Sequence, residues 1–123
     1  MKKSKGNVFS IIILIIVFSC NSNRIGKEKI IELTHSEKPC NRVEGFLAIG
    51  NFNDTSLYYL FFEDMRDMNI THCTKYYGKS VLWAKIESLK RITKIAPKIE
   101  YDIMTPIPKI LEEYKNIIES LNQ

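Results

Sequence analysis

"RVEGFLAIG", Arg42 to Gly50, is the stretch on which the fold turns. Read at a two-residue period, it places Val43, Leu47 and Ile49 on one face and Phe46 and Ala48 on the other, the pattern of a β-strand. "NFNDTS", Asn51 to Ser56, follows as a turn, because Asn, Asp and Ser side chains bond their own backbone there. "LYYLFF", Leu57 to Phe62, is apolar on both faces and of strand length, which predicts a central strand covered on two sides. The two runs together predict a hairpin with a loop longer than the two-residue kind.

Outward from this hairpin, "KIIEL", Lys29 to Leu33, fits a short edge strand, and "HSEKPC" turns the chain at Pro39. "ITHCTKYY", Ile70 to Tyr77, is rich in β-branched and aromatic residues and reads as a third strand ended by Gly78. Ser80 is placed to cap a helix reaching about Thr93, with Leu82, Ile86, Leu89 and Ile92 at helical spacing, although residues 80–86 also fit a strand. "KIEYDIM", Lys98 to Met104, alternates as a half-buried strand does. Thr105 then stands at a cap position and Pro106 at the first helical position. Ile107, Ile110, Leu111, Tyr114, Ile117, Ile118 and Leu121 make one apolar stripe of a closing helix laid on the sheet. The order β-β-β-α-β-α predicts an α+β two-layer sandwich, a mostly antiparallel sheet with helices packed on it.

The amino end obeys different rules. Lys2, Lys3 and Lys5 precede an apolar run from Val8 to Phe18 broken only by Ser10. That run is about half of what a bilayer span needs. A basic start, a short apolar centre and a small residue before a polar sequel are the parts of a secretory signal. Within it, "VFSC", Val17 to Cys20, resembles the lipobox of bacterial lipoproteins. The resemblance implies a diacylglyceryl group on the Cys20 thiol, cleavage before it, and acylation of the new amino end. Two or more acyl chains hold a protein stably on a membrane. Asn21, where an aspartate would retain such a protein at the inner membrane, slightly favours the outer membrane, with the domain facing the periplasm of the cell envelope. The organisation expected is residues 1–19 as signal peptide, 20–38 as lipidated cysteine and polar tether, and 39–123 as one small domain.

The 18 basic and 14 acidic side chains give a net charge of +4. Three of the lysines belong to the leader, which leaves 15 against 14. Nucleic acid, which asks for a strong basic surplus, is therefore not an expected partner. With Cys20 consumed, Cys40 and Cys73 remain as a possible disulfide in an oxidising compartment. Against it stands the geometry of a simple meander, in which Cys73 lies two strands from the entry to the first, beyond the reach of about 7 Å between Cα atoms.

No chemistry-bearing constellation emerges. Cys73 and His72 are neighbours that a strand would point to opposite faces, which argues against a cysteine nucleophile. His35, Cys40, His72 and Cys73 lack the close ligand pairs of a zinc site, and Glu63, Asp64 and Asp67 lack the pattern of a calcium loop. No cofactor is expected. Glu112 and Glu113 lie on the polar side of the last helix; Glu100 and Asp102 share one strand face at a spacing that two-carboxylate hydrolysis tolerates, as do most polar strand faces. Trp83 lines up with Glu87, Lys90 and Lys94 along a helix, a contact surface for a protein or for anionic headgroups. The expectation is a non-catalytic protein-binding module anchored through Cys20: an assembly partner, or an inhibitor or immunity-type protein. The alternatives are a small envelope hydrolase using Glu100 or Asp102, and a carrier of a small apolar ligand lined by the Tyr58–Phe62 aromatics.

Overall fold

The computed structural model describes residues 25–102 and 106–122. Cys20 and Thr105 thus lie outside the described residues. Four α-helices form the frame: α1 (Lys27–Thr34), α2 (Pro39–Phe52), α3 (Val81–Thr93) and α4 (Lys109–Leu121). A 3-10 helix, Thr55–Phe62, and a single 3-10 turn, Thr74–Tyr76, lie between α2 and α3. Among the described residues no sheet is present, and extended pairing is reduced to isolated bridging such as that between Ile70 and Ser80. The α+β sandwich is corrected to a mostly helical arrangement with no strand or sheet among the described residues.

The correction has its origin in burial. The stretch read as the first strand is the middle of α2, where Val43, Gly45, Phe46, Ala48, Ile49 and Gly50 are all buried. Its outward face mixes Cys40 and Leu47 with Glu44, so polar and apolar residues do not separate at the 3.6-residue period. Pro39, read as turn punctuation, occupies the start of this helix, where its missing N–H costs nothing. Asn53 closes it in the left-handed region (φ 54°) and donates its N–H to the Ile49 carbonyl at 3.0 Å.

The expected central strand is the 3-10 helix. Asp54 caps it by accepting the Ser56 N–H at 3.0 Å. Leu57, Leu60 and Phe61 turn inward, whereas Tyr59 points to solvent. The expected third strand, Ile70–Tyr77, is a loop closed on itself: Thr71 N–H bonds Lys79 O at 2.8 Å and Gly78 N–H bonds Thr71 O at 3.1 Å, with Gly78 at φ 79°. The described part of the expected strand 98–104 is irregular. Ile99 and Tyr101 do pack on the core, yet among the described residues no strand runs beside them; the Lys98 N–H goes to the Glu113 carboxylate at 2.9 Å. The edge strand Lys29–Leu33 belongs to α1, whose Ile30 is buried. Residues 27–34, inside the segment read as tether, thus pack on the core.

The two remaining helices lie near their expected places. Ser80 Oγ accepts the Trp83 N–H at 3.0 Å, so residues 81–86 are helix and not strand. The closing helix starts at Lys109, three residues later than expected. Pro106 precedes it, and the Pro108 carbonyl accepts the first bond, from Leu111 N–H at 2.9 Å. Its buried Ile110, Leu111 and Tyr114 rest on helices rather than on a sheet.

Glycine sets how closely the helices pack. α1 and α2 run antiparallel, with Gly45 beneath Thr34; a Cβ there would stand 2.8 Å from Thr34 Cγ2 and 2.9 Å from its backbone nitrogen. α2 and α3 run parallel. Lys85 and Ser88 lie beside Phe46, and Arg91 bonds the side chain of Asn51. The returning segment between them is stapled by a disulfide from Cys40, in the first turn of α2, to Cys73, with Cα atoms 6.3 Å apart. The distance objection to this bond assumed a strand meander; with a helix at Cys40 and a loop at Cys73, it does not apply.

Candidate functional site

One helical position breaks the apolar stripe of α3. Leu82, Ile86 and Leu89 are fully buried, and Lys85, on the same stripe, is only 1% exposed. A buried ammonium must find partners. Lys85 Nζ donates to the Asp64 carbonyl and lies 4.8 Å from the centre of the Phe46 ring, a cation–π contact. Burial pushes its pKa down, Arg42 adds to that, and Asp67, Asp64 and Glu63 oppose it.

Above Lys85 opens a polar cleft of about 340 Å³. One wall is the ion pair of Arg42 and Asp67, with Nε–Oδ2 at 2.7 Å and Nη2–Oδ1 at 3.2 Å, both side chains largely buried. Arg42 Nη1 also donates to the Ser36 and Glu37 carbonyls, at 2.8 and 3.0 Å, and the Asn69 side chain donates to Asp67 at 2.8 Å. The guanidinium thereby ties the α1–α2 turn and the start of α2 to the 63–69 loop. The opposite wall is His35 at the end of α1. Its Nδ1 donates to Ile31 O at 2.9 Å and its Nε2 to Glu63 at 2.8 Å. A carbonyl and a carboxylate are both acceptors, so both ring nitrogens must carry protons. The Glu63 bond, then the Ile31 bond, raise the His35 pKa.

Glu63 faces a second surface as well. On its other side an open groove of about 460 Å³ runs between the 3-10 helix and the end of α4. Tyr58, Tyr59, Phe62 and Ile118 line it, with Lys115 and Glu119 at the edge. Tyr59 is 52% exposed and lies beside the partly buried Tyr58 and Phe62 in this groove. Tyr58 is fixed by its hydroxyl bond to Asn53, and burial raises its pKa. Behind the groove Phe62, Phe61 and Phe46 form a chain of ring contacts at 6.3 and 5.8 Å between centroids, reaching the Lys85 floor. An aromatic groove and a charged cleft thus adjoin at Glu63.

The residues singled out from the sequence are scattered. Trp83 and Lys90 lie on the outer side of α3, but Trp83 is half-buried and covered by Lys79, whose Nζ is 4.5 Å from the ring centre. Lys90 pairs with Glu87 at 3.5 Å, and the Tyr101 hydroxyl reaches the same carboxylate at 3.5 Å, so residues near 101 partly roof this stripe. Lys94 is exposed at the C-cap of α3, in the left-handed region (φ 60°). Cys40 and Cys73 are spent on each other. His72 is exposed and meets the Tyr77 ring edge-on at 6.3 Å. Glu100 and Asp102 are exposed, and among the described residues no strand aligns them on one face. Glu113 is half-buried, with one oxygen on Lys98 N–H and the other, Oε2, without a partner. Among the described residues no group of three or more His, Cys, Asp or Glu is placed to hold a metal ion, and no helix is long and apolar enough to cross a membrane.

Sequence reasoning missed Lys85, Arg42 and Asp67. Lys85 left a signal, a lone cation at i+3 from Leu82 and i−4 from Leu89 in an apolar stripe. Asp67 left none, since it meets Arg42 across 25 positions that include the rest of α2, the 3-10 helix and loop. The chain matches no family model, no curated protein and no solved structure.

Proposed function

We propose that this chain is a lipid-anchored module of the bacterial envelope that binds a protein partner and performs no catalysis. The observation that carries the binding reading is the surface at Glu63, where the aromatic groove with half-exposed Tyr59 adjoins the Lys85 cleft. Aromatic anchors in an open apolar groove, rimmed by charges, are the anatomy of a protein interface. The cleft's charges favour recognition over reaction. His35 is held by Glu63, Arg42 by Asp67, and Lys85 by a carbonyl, so each titratable group is engaged in holding the cleft walls. The anchoring half of the reading rests on the lipobox-like Val17–Cys20 and the basic, apolar leader before it.

A carrier of a small apolar ligand would use the same Tyr58–Phe62 aromatics. The groove's openness to solvent favours a partner's side chain over an enclosed free ligand.

The test is site-specific photo-crosslinking in the native envelope, with the photoreactive residue replacing Tyr59 and, as control, the exposed Glu32 of α1. The expected result is a discrete protein adduct from position 59, absent from position 32 and lost when Ile118→Glu is added. No adduct at 59, or the same adducts at both positions, overturns the binding surface.

A further inference from the structure

The end of the bundle where the chain enters carries its own pattern. α1 starts there, and because α1 is antiparallel to α2 while α2 is parallel to α3, the carboxyl ends of α2 and α3 meet it. Ile25, Lys27, Asn51 and Phe52 line one depression, and Arg91 of α3 donates to the Asn51 side chain. Ile25 and Phe52 are exposed apolar side chains, 40% and 37% open. Lys27 lines the depression together with Asp54, Arg91 reaches it through Asn51, and Lys94 is exposed at the C-cap of α3. The acids at this end are Glu28 and Asp54, the latter close enough to Lys27 for its carboxyl to be lowered slightly by that charge, after the larger effect of its bonds to Ser56.

We propose that this face rests on an anionic phospholipid surface. The inference depends on the lipid anchor at Cys20, which lies five residues before Ile25. Five residues of chain extend no further than about 18 Å. The anchor therefore holds this end at headgroup distance. Cations near two apolar side chains are the composition of an interfacial contact: the apolar groups enter the headgroup–acyl boundary and the cations meet the phosphates. The aromatic groove borders this depression along the 3-10 helix but is lined by none of the same residues.

The experiment uses the mature lipidated protein in vesicles of phosphatidylethanolamine and phosphatidylglycerol. The native Trp83 is an internal reference, because it stands eight residues back along α3 from Arg91, about 12 Å at 1.5 Å per residue. In the F52W/W83F variant the reporter moves to the face. With phospholipid brominated near its headgroup end, the F52W reporter is expected to be quenched about twice as strongly as Trp83 in the wild type, as for a group entering the boundary layer. Adding Lys27→Glu, Arg91→Glu and Lys94→Glu is expected to abolish the difference. Hydrogen exchange on the unmodified protein supplies a second reading that needs no substitution: amides 25–28 and 51–54 are expected to exchange more slowly on anionic than on zwitterionic vesicles. Equal quenching at both positions, or no protection, in protein that still floats with the vesicles overturns the docked face while leaving the anchor intact. Protection of these amides only in native envelopes, and not on vesicles, also overturns it and assigns the face to a protein. A protein that does not float, with an unmodified Cys20 thiol by intact mass, removes the anchor itself.

Discussion

Gly50 of α2 lies so close to Ser88 of α3 that a Cβ added to it would stand 2.9 Å from Ser88 Cβ and 3.0 Å from Ser88 Cα. The approach lets Ser88 Oγ reach the Phe46 carbonyl at 2.7 Å, a buried bond between the two longest-packed helices. Gly50→Ala must push backbone from backbone, since no flexible side-chain tip can yield. The expected loss is about 1–3 kcal/mol, the usual range for overpacking a tight core contact, against the fraction of a kcal/mol that Ala gains over Gly in an unhindered helix. Urea denaturation checks it, and a variant as stable as the wild type would contradict the helix–helix distance.

Lys85 supplies a prediction about shape and charge together. Lys85→Ala empties volume in the core and strands the Asp64 carbonyl, for a loss of about 2–4 kcal/mol. Lys85→Met strands the same carbonyl but keeps most of the volume and removes the desolvated charge, so its cost should fall below that of Lys85→Ala, at about 1–2 kcal/mol. The pH dependence has a definite sign. Burial lowers the folded-state pKa of Lys85, so between that value and the ordinary lysine pKa the unfolded chain binds the extra proton. Stability of the wild type should therefore rise relative to Lys85→Met as pH climbs through the folded-state pKa. Urea midpoints of both proteins measured from neutral to moderately alkaline pH test this; parallel curves would mean that the ammonium is not desolvated.

The contrast between α3 and α2 explains what the sequence made legible. α3 alternates a buried stripe of Leu82, Ile86 and Leu89 with half-buried Trp83, Glu87 and Lys90, and α4 buries Ile110, Leu111 and Tyr114 against outward Glu112, Lys115 and Asn116. Each has two distinct faces, so the period survives in the residue types. α2 has no wet face wide enough to mark it, and the 3-10 helix is too short to show a period that differs clearly from alternation. Both therefore read as strands. The same argument covers the site. Tyr58, Tyr59 and Phe62 were visible as an aromatic run, whereas the cleft is made by pairs such as Arg42–Asp67 and His35–Glu63, whose members lie 25 and 28 positions apart and carry no local pattern.

The Cys40–Cys73 bond closes a loop with a sequence separation of 33, which contains the 3-10 helix and the whole 63–69 wall of the cleft. Chain entropy alone gives such a crosslink roughly 3–4 kcal/mol of stabilisation. The Cys40→Ser/Cys73→Ser double variant is expected to lose that much in urea denaturation. Because Arg42 grips Asp67 within a turn of Cys40, the loop should loosen further than the bundle: amides 67–73 should accelerate by more than those of α3, which lose only the global share. Uniform acceleration would show instead that the loop and the bundle unfold as one unit.

His35 and Glu63 join the two ends of the cleft rim at 2.8 Å, with roughly half of each side chain in water. The geometry demands protons on both ring nitrogens, and the folded-state pKa of His35 is raised, by the Glu63 bond first and the Ile31 bond second. A raised histidine contributes stability that is complete below its unfolded value of about 6.5 and is lost as pH rises through the folded value. In so exposed a pair that contribution should stay within about 1 kcal/mol. Glu63→Gln keeps the shape and removes the charge. NMR titration of the His35 imidazole should show a lower pKa in Glu63→Gln than in the wild type, and the variant's stability should approach that of the wild type as pH rises above neutrality. An unchanged titration would place Glu63 away from His35 in solution and would separate the charged cleft from the aromatic groove.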